Sequence, residues 1–286
     1  MVQVQQHNHH PQQELEKPAK TQLNGDKSPH ANPSDWATRR RPDTIVLFDV
    51  DGTLSPSRLT AAPEMIAFLN KLKEHCVIGY VGGSDLAKQK EQLGEAAVSG
   101  LFDFGFSENG ATAFRLGKQI AADSFIKFLG EQRYKELINY VLVYLSTIDI
   151  PVKRGTFVEF RNGMINVSPI GRSCSQQERI QFAELDKQSG IRRKMADDLR
   201  AKFAHFGLSF SIGGQISIDI FPTGWDKTLC LKHLHGEGFS TVHFFGDRTE
   251  PGGNDYEIFH HPAVHGHTVV NPEDTINQLK RLFNLH

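Results

Sequence analysis

One run constrains this chain more than any other: Thr44-Ile45-Val46-Leu47-Phe48-Asp49-Val50-Asp51-Gly52-Thr53-Leu54. Its first five residues, four of them apolar, read as a strand buried on both faces, as in a parallel sheet. Two carboxylates and a glycine follow where the chain must leave that sheet, and ligands of open α/β sheets sit just outside the carboxyl ends of the strands. Asp49 and Asp51 are two apart, so persisting strand geometry points both side chains to one side. Like charges held so close repel unless a cation or a shared proton relieves them. Mg²⁺ suits that role, because it prefers oxygen ligands and keeps waters and substrate phosphate. An ordinary acidic turn is the bland alternative; the apolar strand before it and Gly-Thr after it argue for a site.

The 286 residues allow two domains, or one domain with a large insert. With 38% apolar and 23% charged residues, the composition suits a soluble globular protein with a substantial core. A formal net charge of −1 supplies no global basic field, so neither nucleic acid nor a membrane is an expected partner. Cys76, Cys174 and Cys230 are too few and too scattered for a disulfide framework or a zinc cage, and fit reduced thiols of a cytoplasmic enzyme. No apolar run reaches the length of a membrane span, and the N-terminus lacks the apolar core of a signal peptide.

Residues 1–41 are polar, with almost no large apolar side chains, and read as a disordered extension; the His7-Asn8-His9-His10 tract is a solvated stretch within it. From there strand and helix alternate. Pro63 opens a helix with Met65, Phe68, Leu69 and Leu72 on one stripe. Cys76 to Val81 is a strand that ends in Gly82-Gly83-Ser84-Asp85, ahead of a helix through about Leu93. Phe104 to Ser107 is a third strand, followed by Glu108-Asn109-Gly110 at the same end of the sheet. This is the pattern of a doubly wound, mostly parallel α/β core. It covers residues 42–118 and resumes at 227–286, with a helix over Trp225 to His235, a strand over Thr241 to Phe245 that ends in Gly246-Asp247, and a last strand over Thr268 to Val270.

Between them, residues 119–226 read as an inserted α+β cap domain with an antiparallel sheet. Asn162-Gly163 between two strand-like runs signals a hairpin. Ser175-Gln176-Gln177-Glu178 is a capping box, and Gly207 closes a helix that carries Met195, Leu199, Phe203 and Phe206. In the final cap strand Ile216, Ile218 and Ile220 face one way, Ser217 and Asp219 the other. Three arginines, Arg161, Arg172 and Arg179, lie near these turns, and guanidinium groups suit bidentate phosphate binding. Spacing alone does not show that they converge.

The Asp-x-Asp-Gly-Thr run after a strand resembles the first motif of the haloacid-dehalogenase superfamily of phosphoryl-transfer enzymes. Within that superfamily the chain resembles the eukaryotic phosphomannomutase family from about Thr44 to His286. The resemblance is carried by Phe48 to Leu54 with Arg58, Gly155 to Met164, Asn166 to Ser173, Gly214 to Ser217, and Gly246-Asp247 followed by Pro251-Gly252-Gly253-Asn254-Asp255. It implies Asp49 as a nucleophile that becomes an aspartyl phosphate, and Asp51 as general acid and base. Ser84 would bind the transferring phosphoryl group and Lys227 would steady its charge. Asp247 would complete a Mg²⁺ site with the Asp49 carboxylate and the Asp51 backbone carbonyl, with Asn254 and Asp255 supporting it from behind. Arg58, Arg161, Arg172, Arg179, Ser217 and Asp219 would bind the sugar phosphate.

The implied reaction interconverts mannose 6-phosphate and mannose 1-phosphate for GDP-mannose synthesis, activated by glucose 1,6-bisphosphate or mannose 1,6-bisphosphate. The implied assembly is a homodimer paired through the caps. Two departures stand out: Ser55 replaces a usual threonine, and His261 stands where relatives often carry an aspartate for a second cation near the Phe259 carbonyl. The extension has no counterpart in the family pattern. The rivals are a sugar phosphatase on the same fold and a catalytically idle sugar-phosphate binder. Separate arginines for a second phosphate speak against the first, and the intact nucleophile and acid pair against the second.

Overall fold

A computed structural model describes residues 26–57 and 59–285. Strand β1 (Thr44–Phe48) is wholly buried and central, as an apolar run of that length requires. Helix α1 (Pro63–Lys73) returns along the sheet and buries Met65, Phe68, Leu69 and Leu72 on the expected stripe. Strand β2 (Val77–Val81), helix α2 (Leu86–Leu93) and strand β3 (Phe104–Ser107) follow, and β1, β2 and β3 pair in parallel.

Two strands that the alternation did not reveal come next. β4 (Thr112–Arg115) pairs antiparallel with β3, and β5 (Lys118–Ala122) pairs antiparallel with β4, so both extend the same sheet. The first core segment therefore runs through Ala122, not Lys118. The β4–β5 turn places Leu116 and Gly117 at φ 49° and 73°, a left-handed pair whose usual Asn-Gly signature is missing here.

The insert begins with α3 (Phe125–Leu129) and α4 (Glu131–Thr147). Its sheet follows, formed by β6 (Val158–Phe160), β7 (Ile165–Val167), β8 (Leu208–Gly213) and β9 (Ser217–Pro222) in the order β6-β7-β9-β8, all antiparallel. Between β7 and β8 lie α5 (Gln176–Ser189), opened by the complete Ser175–Glu178 capping box, and α6 (Ile191–Lys202). The helical pattern past Lys202 breaks at Phe203 into a short 3-10 turn that Gly207 closes in the left-handed region. The cap core joins Leu137, Val141, Met195, Leu199, Ile218 and Ile220, so the alternation in β9 directs its isoleucines inward.

The chain returns to the core through a 3-10 helix over Lys227–Leu234, whose N-cap Asp226 accepts from Thr228. Strand β10 (Thr241–Gly246) pairs in parallel with β1. Helix α7 (Tyr256–Phe259), strand β11 (His265–Thr268) and helix α8 (Pro272–Phe283) complete a seven-stranded sheet of order β11-β10-β1-β2-β3-β4-β5. The last strand thus precedes its expected position at Thr268–Val270. As an edge strand it is polar and half-exposed, while the apolar-looking Val270 is 78% exposed just before the helix cap.

The disordered reading of residues 1–41 needs correction from residue 26 onward; residues 1–25 lie outside the described part. Trp36, in a 3-10 turn over Pro33–Trp36, is 1% exposed and packs on Phe104. Its Nε1 donates to Glu237, which also takes two bonds from Arg115 at 2.7 and 3.0 Å. A single aromatic supplies the burial that the segment's composition otherwise lacks. Among the described residues no helix is long and apolar enough to cross a membrane.

Candidate active site

The carboxyl ends of β1, β2 and β10 open onto one cavity, lined by Asp49, Asp51, Ser84, Gln92, Asp247 and Asn254 among others. Gly52 permits this crowding: it takes φ 75°, and a Cβ there would collide with the Asp247 carboxylate. Asp85, not Ser84, is the N-cap of α2, accepting from the Lys88 amide at 2.8 Å. Ser84 is left to face the cavity instead.

Asp49 is 4% exposed and Lys227 1%. Lys227 Nζ donates to both Asp49 and Asp255, so one buried ammonium serves two buried carboxylates. Burial pushes the Asp49 carboxyl up to about 7, with Asp255 adding to the rise and Lys227 opposing it. Lys227 itself is held protonated above its ordinary range: burial opposes the charge, but the two carboxylates outweigh it.

Asp49, Asp247 and Asp255 bring one oxygen each to within 4.8 Å of one another. Both Asp255 oxygens have partners, Lys227 and the Arg248 amide. Asp247 Oδ1, by contrast, is buried with no hydrogen-bond partner, and burial raises its carboxyl. An orphaned carboxylate oxygen beside two further carboxylates is a donor set that fits a hard divalent cation.

Asp51 accepts from Gln92 Nε2 at 2.8 Å. Gln92 is 2% exposed, and neighbouring Gln89 bonds Ser107 and the Phe106 carbonyl. Sequence reasoning passed over Gln92. Its signal was two glutamines, three apart, on the same helix face as Leu93, a polar pair where an apolar stripe belongs.

The cap arginines do come together. Arg161 Nε donates to Glu159 at 2.7 Å, Arg172 contacts the other Glu159 oxygen at 3.2 Å, and Arg179 donates to the Arg172 carbonyl at 2.9 Å. Arg172 also donates to Asn166 Oδ1 at 2.7 Å, and Asn166 Nδ2 donates to Asp219 at 2.6 Å. Burial raises the Asp219 carboxyl, with the Asn166 bond and the two guanidinium groups opposing. Glu159 and Asn166, which sequence reasoning gave no role, therefore organise the cluster from adjacent strands. Ser217 is buried on β9 two residues from Asp219. Arg58 lies outside the described residues. His261 accepts from the Ala263 amide at 3.2 Å, and burial lowers its basicity.

A buried lysine–aspartate pair and clustered carboxylates, at the ends of parallel strands and beside an inserted cap, define a phosphotransferase core of the haloacid-dehalogenase type. Solved structures agree on the fold. A haloacid dehalogenase-like hydrolase from Bacteroides thetaiotaomicron superposes with a TM-score of 0.54 at 15% identity, covering 84% of this chain and 99% of that one. An Aspergillus fumigatus trehalose-6-phosphate phosphatase superposes with a TM-score of 0.55 at 14% identity, covering 91% and 100%. Sequence similarity is far closer elsewhere. The family profile described as eukaryotic phosphomannomutase matches residues 65–285. A phosphomannomutase of Schizosaccharomyces pombe is 58% identical over 250 residues, 86% of this chain and 97% of the relative. One from Saccharomyces cerevisiae is 56% identical, over 88% and 99%. The chain belongs to the eukaryotic phosphomannomutase family.

Proposed function

We propose that this chain interconverts mannose 6-phosphate and mannose 1-phosphate, with the Asp49–Asp51 pair doing the chemistry and the cap arginines holding the phosphate that is not reacting. One observation carries the reading: an aspartyl-nucleophile site in the core coexists with a separate guanidinium cluster on the cap, as a substrate with phosphate at both ends demands.

In the forward half-reaction the sugar O1 hydroxyl attacks the phosphorus carried on Asp49. Asp51 takes the hydroxyl proton as the Asp49 oxygen–phosphorus bond breaks, which yields a 1,6-bisphosphate. The bisphosphate turns around, Asp49 attacks the phosphorus at position 6, and Asp51 returns the proton to the departing O6. Lys227 neutralises charge on the transferring group, and Ser84 and the loop before it receive its oxygens. Asp49, Asp247 and the Asp51 backbone would hold Mg²⁺, which supplies further charge neutralisation at the phosphoryl oxygens. Gln92 keeps Asp51 in place between the two proton transfers. Asn254, on the cavity wall, and Asp255, through Lys227 and the Arg248 amide, keep the carboxylates oriented.

Further expectations rest on the same reading. Catalytic glucose or mannose 1,6-bisphosphate charges Asp49. The product feeds GDP-mannose synthesis in the cytoplasm. The caps pair into a homodimer, for which edge strand β6 and the exposed Phe160, Leu142 and Val143 are an available apolar surface. The test is mannose 1-phosphate consumption with Mg²⁺, scanning bisphosphate from none upward while free phosphate is followed in parallel. Activation without stoichiometric phosphate release is the expected result. Steady release indifferent to bisphosphate would make the chain a sugar phosphatase.

A further inference from the structure

The turn after β3, Glu108-Asn109-Gly110, is a place where the core site and the cap meet. All three residues take positive φ, 50°, 62° and 105°, which is costly for Glu108 in particular. On the core side, the Glu108 amide donates to the Ser84 carbonyl at 3.0 Å and the Asn109 amide to the Gly82 carbonyl at 2.9 Å. The turn is thus built onto the loop that faces the reacting phosphoryl group.

On the cap side, the Glu108 carboxylate accepts from Asn162 Nδ2 at 2.7 Å and from the Gly163 amide at 3.0 Å. These two residues form the tip of the β6–β7 hairpin, next to Arg161. The linkers join at the same point. Asn162 also donates to the Asp123 carbonyl at 3.1 Å and accepts from the Phe125 amide at 2.6 Å, in the first crossing from core to cap. Asn109 Nδ2 donates to the Trp225 carbonyl at 3.2 Å, in the second. Glycine at 163 is explained by this approach: it has no positive φ, and a Cβ there would stand 3.3 Å from Glu108 Cβ. Among the described residues no lysine or arginine pairs with Glu108, so its charge is spent on cap amides.

We propose that Glu108 is a positioning residue that pins the cap's hairpin tip at the pivot between the linkers, and so fixes how far the cap arginines stand from the core phosphate site. It deepens the mutase reading, from which it takes its substrate. A ligand that spans both sites should depend on the clasp, whereas one held by the core alone should not.

The experiment is calorimetric titration of the full-length chain with Mg²⁺ present, using glucose 1,6-bisphosphate in one series and inorganic phosphate in another. Glu108→Ala should weaken the bisphosphate by about 10- to 100-fold, the loss of a charge-assisted contact, and leave phosphate binding unchanged. Glu108→Gln should recover most of that loss, because an amide oxygen still accepts from Gly163. Should Glu108→Ala fail to fold, Asn162→Ala cuts the clasp from the cap side and should show the same contrast. In turnover the loss should appear as a raised KM for mannose 1-phosphate. Unchanged bisphosphate affinity, or equal weakening of both ligands, would overturn the proposal. The expected binding contrast in the variants, together with wild-type protein that never transfers phosphate between sugar positions, would overturn the mutase reading alone.

Discussion

Burying Asp49 beside Asp255 has a measurable consequence. Its carboxyl sits near 7 in the folded chain, against an ordinary 3.8. Because the unfolded chain ionises this carboxyl well before the folded one does, the group's penalty is absent at low pH, grows as pH rises from about 4 to 7, and is constant at its full value above 7. A divalent cation that binds the carboxylate relieves that penalty and, below pH 7, must displace a proton to do so. Mg²⁺ should therefore raise the melting temperature more at pH 8 than at pH 6, and its apparent affinity should fall by about tenfold per pH unit below 7. Differential scanning fluorimetry at the two pH values checks this, and a Mg²⁺ response independent of pH would contradict it. Asp51→Asn should slow turnover by about 10²–10⁴-fold with the fold intact. Both carboxylates were legible from their place after an apolar strand. Gln92, which holds Asp51, was not, because a buried glutamine on a charged helix reads as surface until the opposing strand is known.

Among elements, the two hairpins are instructive. Asn162-Gly163 signalled a tight left-handed turn, yet neither residue takes positive φ, and the loop spans four residues, closed by the Arg161 amide on the Met164 carbonyl at 2.9 Å. Leu116-Gly117 carried no such signal and forms the left-handed two-residue turn. Tertiary contact decided both: Gly163 is needed where Glu108 approaches, and Leu116 is forced by the pairing of β4 with β5. The cap arginines were legible as residue types but not as a cluster, since the carboxylate that gathers Arg161 and Arg172 lies on a strand of only three residues. If this cluster clamps the distant phosphate, Arg179→Ala should cut mutase turnover by one to two decades, from a loss of about 1.5–3 kcal/mol. Hydrolysis of a small phosphate ester confined to the core should hardly change. Steady-state kinetics on both substrates makes the comparison, and equal losses would assign Arg179 to folding instead.

At the scale of the whole molecule, alternating strands and helices were enough to foresee a parallel core interrupted by a cap. The N-terminal strap was not foreseeable, because its anchor is one tryptophan whose partners, Arg115 and Glu237, lie 79 and 201 residues away. The Arg115 guanidinium sits 4.8 Å above the Trp36 ring while bonded to the fully buried Glu237. Trp36→Ala should cost about 3–5 kcal/mol by opening that layer, seen as a lower urea midpoint with mutase chemistry retained in the folded fraction. An unchanged midpoint would mean that the strap is not part of the folding unit.

The central claim is that Asp49 carries a phosphoryl group from one sugar position to the other, and rapid quenching tests it most directly. Enzyme charged with labelled glucose 1,6-bisphosphate is freed of sugar, mixed with mannose 6-phosphate and stopped at intervals, with peptide mass spectrometry on the protein and chromatography on the sugars. The account predicts label on Asp49 that leaves at the rate mannose 1,6-bisphosphate appears, with little free phosphate. Label on Ser84 or any other residue, or its loss as inorganic phosphate while no bisphosphate forms, would contradict it.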